Sequence, residues 1–127
     1  MSVTQLRILL PSQPAVVAGV ISTAWLSPEG EIELLDGAEV RRRLAADTTP
    51  IVCHARSTAR RIGTSPFPAF DVLELFAFTH PARFALPTPL GLAEALGLPL
   101  PSTPERSAET LLAVTRALLA ALGTAAS

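Results

Sequence analysis

The stretch PIVCHARSTARRIG, from Pro50 to Gly63, decides the fold of this 127-residue chain, because an apolar run meets a basic helical pattern within it. The β-branched letters after the proline predict a buried strand over residues 50–54. The letters that follow predict a helix over residues 55–62, which stops at the glycine. The strand therefore delivers Cys53 and His54 to its carboxyl end, which is where open α/β sheets build their sites.

The rest of the chain alternates in the same way between strand and helix patterns. β-Branched and aromatic residues on both sides of the turn letters SPEG predict a β-hairpin over about residues 15–35. Capping residues and helical periodicity predict further helices over about residues 37–46, 70–79, 88–97 and 105–122. Asp36 and Thr88 are the caps of two of these helices, and another helix begins near Asp71. The sequence thus predicts one α/β domain over residues 1–127.

Composition limits the classes of function that the chain can serve. The formal net charge of −1 and the pI near 6.1 give no global attraction to nucleic acid or membranes, so such binding needs a local patch. The basic residues are all arginine, and the absence of lysine excludes the phosphate loop of ATP-hydrolysing motors. A single cysteine excludes an internal disulfide and favours a reducing compartment, so we expect a cytoplasmic protein.

Apolar residues are frequent for a chain of this size. They make up 49% of the sequence, and the mean hydropathy is +0.42. No apolar run is long enough to span a bilayer, because Arg116 interrupts even the Leu/Ala-rich C-terminal segment. We therefore expect no membrane partner, and we expect part of the apolar surface to meet another protein.

The neighbouring Cys53 and His54 suggest a catalytic pair, because an imidazole can lower the pKa of a thiol and generate a thiolate. Consecutive residues on a strand point to opposite faces of the sheet, so these two side chains are poorly placed to pair. A buried cysteine and a strand-end histidine without catalytic roles are the favoured interpretation. A small enzyme that uses Cys53 or His54 is the third and least favoured hypothesis for the chain.

Three arginines after the strand form the best phosphate-binding pattern in the sequence. Arg56 and Arg60 are four residues apart and share one face of the predicted helix, with Arg61 beside them. Guanidinium groups fit phosphate oxygens, so contact with single-stranded DNA is one interpretation of these arginines. The segment lacks aromatic residues on which bases stack, so a plain solvated face is the favoured interpretation. The arginine run at 41–43 is predicted to be solvated, and Trp25 to anchor the hairpin or an interface.

The order of the predicted elements and several blocks of sequence resemble the later part of a ribonuclease-H-like exonuclease of the DEDD type. IVCHARSTA is similar to the second motif of that family, in which an apolar strand precedes His-Asn and an Asp follows five residues after the His. AFDVLELFAFTHP resembles its Asp-Thr-Leu-Glu-Leu block, and LPTPLGLAEALGLPLP resembles its Leu-x-x-Leu-Ala-x-x-Leu-Gly helix. PERSAETLLAVTRALLAAL resembles the final motif, His-x-Ala-x-x-Asp-Ala, and the last helix.

One longer block carries a second resemblance. PFPAFDVLELFAFTHPARFALPTPLGLAEALGLP is similar to the region ahead of the motor in some bacterial DinG-type ATP-dependent DNA helicases, whose relatives can carry an exonuclease domain at the N-terminus. This resemblance implies a chain that belongs beside a helicase core, with ATP hydrolysis carried out by that core.

The chain departs from the exonuclease pattern at the positions that carry its chemistry. The resemblance implies four carboxylates that hold two divalent cations, but the letters AVVAGVIST of the first strand contain no acid. His54 keeps its motif position, whereas Ala59 stands where the second motif has its acid. Asp71 belongs to the matching middle block, Glu109 is the candidate acid of the last motif, and Pro104 replaces the histidine base. We therefore predict a lost active site with no metal, no cofactor and no nuclease activity.

Two functions from different classes follow from these observations. The leading hypothesis is a catalytically inactive, ribonuclease-H-like accessory domain of a DinG-type helicase, which docks on the helicase core or guides single-stranded DNA. The runner-up is a stand-alone interaction module that dimerises through the Phe-rich helix over residues 70–79 and the helix over residues 105–122, without binding DNA.

Overall fold

The computed structural model of the chain describes residues 13–46 and 48–126, with side chains described through residue 123. Its strands are β1 (Ala15–Ala18), β2 (Thr23–Leu26), β3 (Ile32–Leu35), β4 (Ile51–Val52) and β5 (Phe70–Asp71). Its helices are α1 (Gly37–Ala45), α2 (Ala55–Ile62), α3 (Val72–Thr79), α4 (Pro89–Leu96) and α5 (Ser107–Ala126), and a 3-10 turn (Pro104–Arg106) precedes α5. The predicted α/β fold is confirmed.

The strands form one mixed sheet with the order β3-β2-β1-β4-β5. β2 runs antiparallel to both β1 and β3, whereas β4 is parallel to β1 on one side and to β5 on the other. Ile51 of β4 pairs with Ala15 of β1 and with Phe70 of β5. The strand predicted over residues 50–54 is therefore an interior strand, but it covers only Ile51–Val52, so Cys53 and His54 follow the strand and do not lie on it.

The N-terminal region contains three strands, where the sequence predicted one hairpin over residues 15–35. The letters SPEG join β2 to β3 as predicted, and Gly30 supplies the positive φ of 94° that this turn needs. A second turn over residues 19–22 divides the first arm of the predicted hairpin into β1 and β2. The sequence concealed this turn because Val20 and Ile21 are β-branched residues that normally favour strands.

The helix boundaries follow the capping residues. The side chains of Asp36, Asp71 and Thr88 each accept a hydrogen bond of 2.8 to 3.0 Å from a backbone N–H in the first turn of α1, α3 and α4. These helices lie within two residues of the predicted ranges, and α2 has the predicted range of 55–62. α5 begins two residues later than predicted and continues to Ala126.

The sheet separates two apolar layers, because side chains alternate between its faces along each strand. One layer joins β1, β2 and β4 to α3, α4 and α5; its buried members are Ala15, Ala24, Leu26, Ile51, Val72, Phe76, Leu92, Ala93, Ala108, Leu111, Val114, Leu118 and Leu119. The other joins the opposite face to α1 and α2; its buried members are Val16, Ala18, Trp25, Leu35, Val40, Val52 and Ile62. The domain therefore has three layers, with helices on both sides of the sheet.

The helices that the runner-up hypothesis assigns to dimerisation serve the core of the chain itself. The apolar side of α5 is buried within the domain, where Leu111 and Leu118 have no exposed surface. In α3 Val72 and Phe76 are buried, whereas Phe78 is 72% exposed. The outer side of α3 is thus the remaining apolar surface on these two helices. Of the helices within the described ranges, none combines the length and hydropathy that crossing a bilayer requires.

Candidate functional site

The carboxyl ends of β1 and β4 meet at one edge of the sheet, which we call the β1–β4 edge (Ala18 and Val52 with the residues that follow them). A cavity of about 160 Å³ lies there, between the two strand ends, the first turns of α2 and the segment before α4. Its polar lining includes His54, Ser57 and Arg61. This is the position at which the sequence predicted a site, because parallel strands of open α/β sheets expose their carboxyl ends to ligands.

Asp71 holds this edge together as a cap for two helices. One carboxylate oxygen accepts hydrogen bonds from the backbone N–H groups of His54, at 2.9 Å, and Leu73, at 3.0 Å. The other oxygen accepts from the backbone N–H of Ala55, at 2.8 Å. Negative charge at the N-termini of α2 and α3 is also favoured by the helix dipoles. Of the predicted remnant positions, His54 and Asp71 are thus in direct contact, and the contact is structural.

His54 adopts the left-handed conformation, with φ 62° and ψ 80°. Among the residues described here it is the one non-glycine residue with a positive φ. This conformation costs roughly 1–2 kcal/mol for a side chain with a Cβ, and the bond from its N–H to Asp71 helps to hold it. The imidazole Nδ1 lies 2.5 Å from the Ser57 hydroxyl oxygen. Asp71 therefore contacts the backbone of His54, while Ser57 contacts its ring.

Cys53 is unsuited to nucleophilic catalysis. Burial raises the pKa of its thiol to about 12, and the negative charge of Asp71 contributes to the same rise. The thiol is therefore protonated at physiological pH, whereas a nucleophilic cysteine must form a thiolate. This argues against the third hypothesis, a small enzyme that uses Cys53.

The two other remnant positions do not complete a catalytic site. Ala59 is 4% exposed and lies on the buried side of α2 with Thr58 and Ile62. Glu109 is exposed in the first turn of α5, and its carboxylate accepts a hydrogen bond of 2.8 Å from Arg106. Within the described ranges no group of three or more His, Cys, Asp and Glu side chains is placed to hold a metal ion.

The predicted arginines lie on the outer side of α2. Arg56, Arg60 and Arg61 are exposed, and Arg61 Nη1 donates a hydrogen bond of 3.1 Å to the carbonyl of Ala18, at the end of β1. Arg41 of α1 adjoins them, because its Nη1 donates at 2.8 Å to the carbonyl of Ile62 at the end of α2. We call these four arginines (Arg41, Arg56, Arg60 and Arg61) the arginine face. Among the described residues none of the four forms an ion pair with a carboxylate.

Arg41 was not predicted as a site residue, because the three consecutive arginines at 41–43 have the pattern of one solvated group. In the structure Glu39 pairs with Arg42 at 2.6 Å and with Arg43 at 2.9 Å, and these bonds lower the pKa of Glu39 to about 2. Arg43 also pairs with Glu33 on β3. The spacing could have separated Arg41 from its two neighbours. Glu39 stands three and four residues before Arg42 and Arg43, which places it beside them on the helix, whereas Arg41 lies only two residues away and does not face it.

Trp25 is a core residue and does not offer a surface for stacking bases. It is 7% exposed and packs in the layer beneath α1 and α2. The guanidinium carbon of Arg43 lies 5.2 Å from its ring centroid. This position agrees with the predicted role of a hairpin anchor and not with that of an interface anchor.

A second cavity lies at the opposite end of β1, about 480 Å³ in volume, between β1, β2, the turn after β2 and α5. Leu26, Leu112 and Leu119 are among its apolar lining residues, and Glu29 and Arg116 are among the charged ones. None of the site residues predicted from the sequence lines this cavity.

The chemistry that the β1–β4 edge and the adjoining arginine face offer is anion binding by guanidinium groups, without an activated nucleophile or a metal-binding carboxylate cluster among the described residues. Comparison of the chain with family models, with curated proteins and with solved structures gave no match in any of the three.

Proposed function

We propose that this chain is a non-catalytic accessory domain that guides single-stranded DNA, with the role that its resemblance to the N-terminal exonuclease-like region of DinG-type helicases implies. The observation that carries the proposal is the arginine face, four exposed arginine residues without carboxylate partners among the described residues. In this proposal the domain acts in the cytoplasm beside a helicase core that hydrolyses ATP.

The arginine face has donors to spare for phosphate. A guanidinium group carries five N–H donors in a planar fork that suits phosphate oxygens. Arg41 and Arg61 each use one nitrogen on a backbone carbonyl, which holds the group in place and leaves other donors free. Arg56 and Arg60 are one helical turn apart on α2. Because the net charge of the chain is −1, attraction to DNA must come from this local face.

The same edge supports a role without catalysis. Hydrolysis by two divalent cations needs several carboxylates that are free to act as ligands. Both oxygens of Asp71 are already bonded to backbone N–H groups, and Glu109 is paired with Arg106. Ala59 has no ligand atom on its side chain. These residues support the interpretation of a former active site that now serves as a framework.

The proposal is tested by fluorescence anisotropy with a labelled oligothymidylate and the full chain at about 50 mM and about 200 mM salt. Binding should weaken with salt, because phosphate contacts release counterions. The triple variant Arg56→Ala/Arg60→Ala/Arg61→Ala should lose most of the affinity. Any remaining binding should depend less on salt, with a log–log slope about 2 less negative than that of the natural chain.

A matched control separates the arginine face from net charge. The variant Arg42→Ala/Arg106→Ala/Arg116→Ala removes the same number of positive charges from other parts of the surface. It should bind the oligonucleotide nearly as well as the natural chain. Equal losses in both triple variants, or no binding by the natural chain at low salt, would contradict the proposal.

A second candidate, a protein-interaction module, is favoured by two exposed aromatic residues. Phe78 at the end of α3 and Phe84 in the following segment are 72% and 83% exposed. Exposed aromatic side chains of this kind are typical anchors of protein interfaces. Light scattering that shows a stable dimer, dissociated by Phe78→Ser/Phe84→Ser, together with no DNA binding, would favour this candidate over the DNA-guiding role.

A further inference from the structure

The turn between β1 and β2 ends in two large apolar side chains that extend into solvent. Val20 is 99% exposed and Ile21 is 95% exposed. They are adjacent in the sequence and stand at the centre of the turn, between the paired residues Ala18 and Thr23. We call Val20 and Ile21 the hairpin tip.

The geometry of the turn does not require these two residues. Short hairpin turns are most often formed by Asn, Asp and Gly, which adopt the necessary backbone angles easily. Here the flanking residues close the turn, because the N–H of Gly19 donates at 2.9 Å to the carbonyl of Ser22. A Cβ at Gly19 would lie 2.8 Å from that same oxygen, so glycine is needed beside the tip and not within it. Two β-branched residues at the tip are therefore best explained by contact with a ligand.

The hairpin tip adjoins the arginine face at Arg61. The guanidinium group of Arg61 donates to the carbonyl of Ala18, one residue before the turn begins. The cavity that contains His54 and Ser57 lies at the same β1–β4 edge and is lined by both Ala18 and Arg61. An apolar projection thus stands beside Arg61, which forms no ion pair with the carboxylates that the structure describes.

We propose that the hairpin tip is a wedge that inserts at the junction between single-stranded and double-stranded DNA, so that the preferred ligand is a forked duplex. This inference rests on the proposed function, because Arg56, Arg60 and Arg61 would supply the phosphate contacts. Proteins that insert apolar side chains between base steps offset the loss of stacking with contacts to the backbone on either side. The arginine face is complementary to phosphate in charge, and β-branched side chains on a paired hairpin lose little freedom when they insert.

A membrane surface is a weaker explanation of the same juxtaposition. Binding at a lipid interface increases with the apolar area that is buried, and two aliphatic side chains supply little area.

The experiment compares the affinity of the full chain for a forked duplex, a blunt duplex and a single strand of the same sequence by fluorescence anisotropy. The natural chain should prefer the fork to the single strand by at least about fivefold. Val20→Ser/Ile21→Ser should reduce the affinity for the fork to that for the single strand, and it should change single-strand affinity by less than about twofold. A 2-aminopurine at the junction should brighten with the natural chain, because unstacking relieves its quenching, and not with the variant.

Two controls keep the result specific. Leu34→Ser/Leu100→Ser removes two exposed aliphatic side chains away from the tip and should leave the fork preference unchanged. Val20→Ala/Ile21→Ala is a second test of the tip that introduces no polar groups, and circular dichroism melts establish that all variants are folded.

The possible failures are distinguishable. Equal affinity for fork and single strand, lost in the variant that lacks Arg56, Arg60 and Arg61, would overturn the wedge and leave the proposed function standing. No binding to either DNA at low salt would overturn both. Binding to phosphatidylserine/phosphatidylcholine vesicles that depends on the tip, without a fork preference, would assign the tip to a membrane surface and overturn the wedge.

Discussion

Asp71 shows how one carboxylate determines the geometry of an edge of the sheet. Its oxygens accept three backbone N–H bonds, from His54, Ala55 and Leu73, and so connect the start of α2 to the start of α3. The same bonds help to hold His54 in its left-handed conformation. The carboxylate of Asp71 therefore serves folding.

We expect Asp71→Ala to lower the free energy of unfolding by about 2–3 kcal/mol, because it leaves two helix N-termini without a cap. Asp71→Asn should cost less, since its carbonyl oxygen still accepts a hydrogen bond. Urea denaturation followed by circular dichroism measures both. Glu74→Ala, an exposed change in the first turn of α3, is the control and should cost less than about 0.5 kcal/mol. An equal, small effect at both positions would refute the double cap.

The pKa of Cys53 leads to a prediction about alkaline pH. Because the folded-state pKa is raised from 9.0 to about 12, the thiol stays protonated in the folded chain while the unfolded chain ionises. Stability should therefore be unaffected by this group below about pH 8 and should fall as the pH rises from 9 towards 12. The chain has no Lys and no Tyr, so no other side chain with an ordinary pKa titrates near pH 10. Cys53→Ala should remove most of the decrease.

Alkylation of Cys53 by iodoacetamide at pH 8 gives an independent readout. The folded chain should react at least about a hundredfold more slowly than the chain in urea, because the thiolate is the reactive species. Similar rates in the two states would mean that the thiol is ionised in the folded protein, and they would restore the enzyme hypothesis.

At the scale of elements, α2 shows what the local spacing of residues can predict about a helix. Its buried residues are Thr58, Ala59 and Ile62, and its exposed side carries Arg56 and Arg60. The spacing of Arg56 and Arg60 predicted the exposed side, since residues four apart share a helix face. The turn between β1 and β2 could not be predicted in this way, because its tip residues favour strands. It is evident only from the antiparallel pairing of Ala15–Ala18 with Thr23–Leu26.

α4 offers a test of packing at a helix near the β1–β4 edge. A Cβ on Gly91 would lie 2.6 Å from the carbonyl oxygen and 2.7 Å from the Cβ of Leu86. We expect Gly91→Ala to lower the free energy of unfolding by about 2 kcal/mol, although alanine favours helices over glycine by roughly 1 kcal/mol. Thermal melts with the calorimetric enthalpy measure the change.

The control for Gly91 is a glycine in another helix with flexible surroundings. At Gly37, in α1, the nearest atom to a Cβ is the end of the Arg41 side chain, 2.9 Å away, which can move. Gly37→Ala should therefore change the free energy of unfolding by less than about 0.5 kcal/mol. Tolerance of alanine at both positions would show that the segment before α4 is not packed as described.

At the scale of the whole molecule, the sheet is stabilised from both sides, and α5 is the central element of one side. Its buried face contacts β1, β2, β4, α3 and α4, which lie far apart in the sequence. A stripe of leucines on a terminal helix is compatible with either a dimer interface or a core. The three-layer packing assigns it to the core.

We expect Leu118→Ala to lower the free energy of unfolding by about 3 kcal/mol, because it leaves a cavity in the layer beneath the sheet. Light scattering should find the same oligomeric state for this variant and the natural chain. Leu100→Ala, at a position 54% exposed, should cost less than about 0.5 kcal/mol. Loss of a dimer in Leu118→Ala without loss of stability would return α5 to the runner-up hypothesis.

The sequence by itself determined the features that depend on neighbours along the chain. These are the strand that contains Ile51, the range of α2, the caps of α1, α3 and α4, and the basic outer side of α2. Only the tertiary structure decided that Asp71 caps two helices, that Arg41 joins Arg56, Arg60 and Arg61, that the leucines of α5 are internal, and that Val20 and Ile21 project from a turn. The physical reason is the same in each case: hydrogen-bond partners and burial are set by residues distant in the sequence, which local pattern does not report.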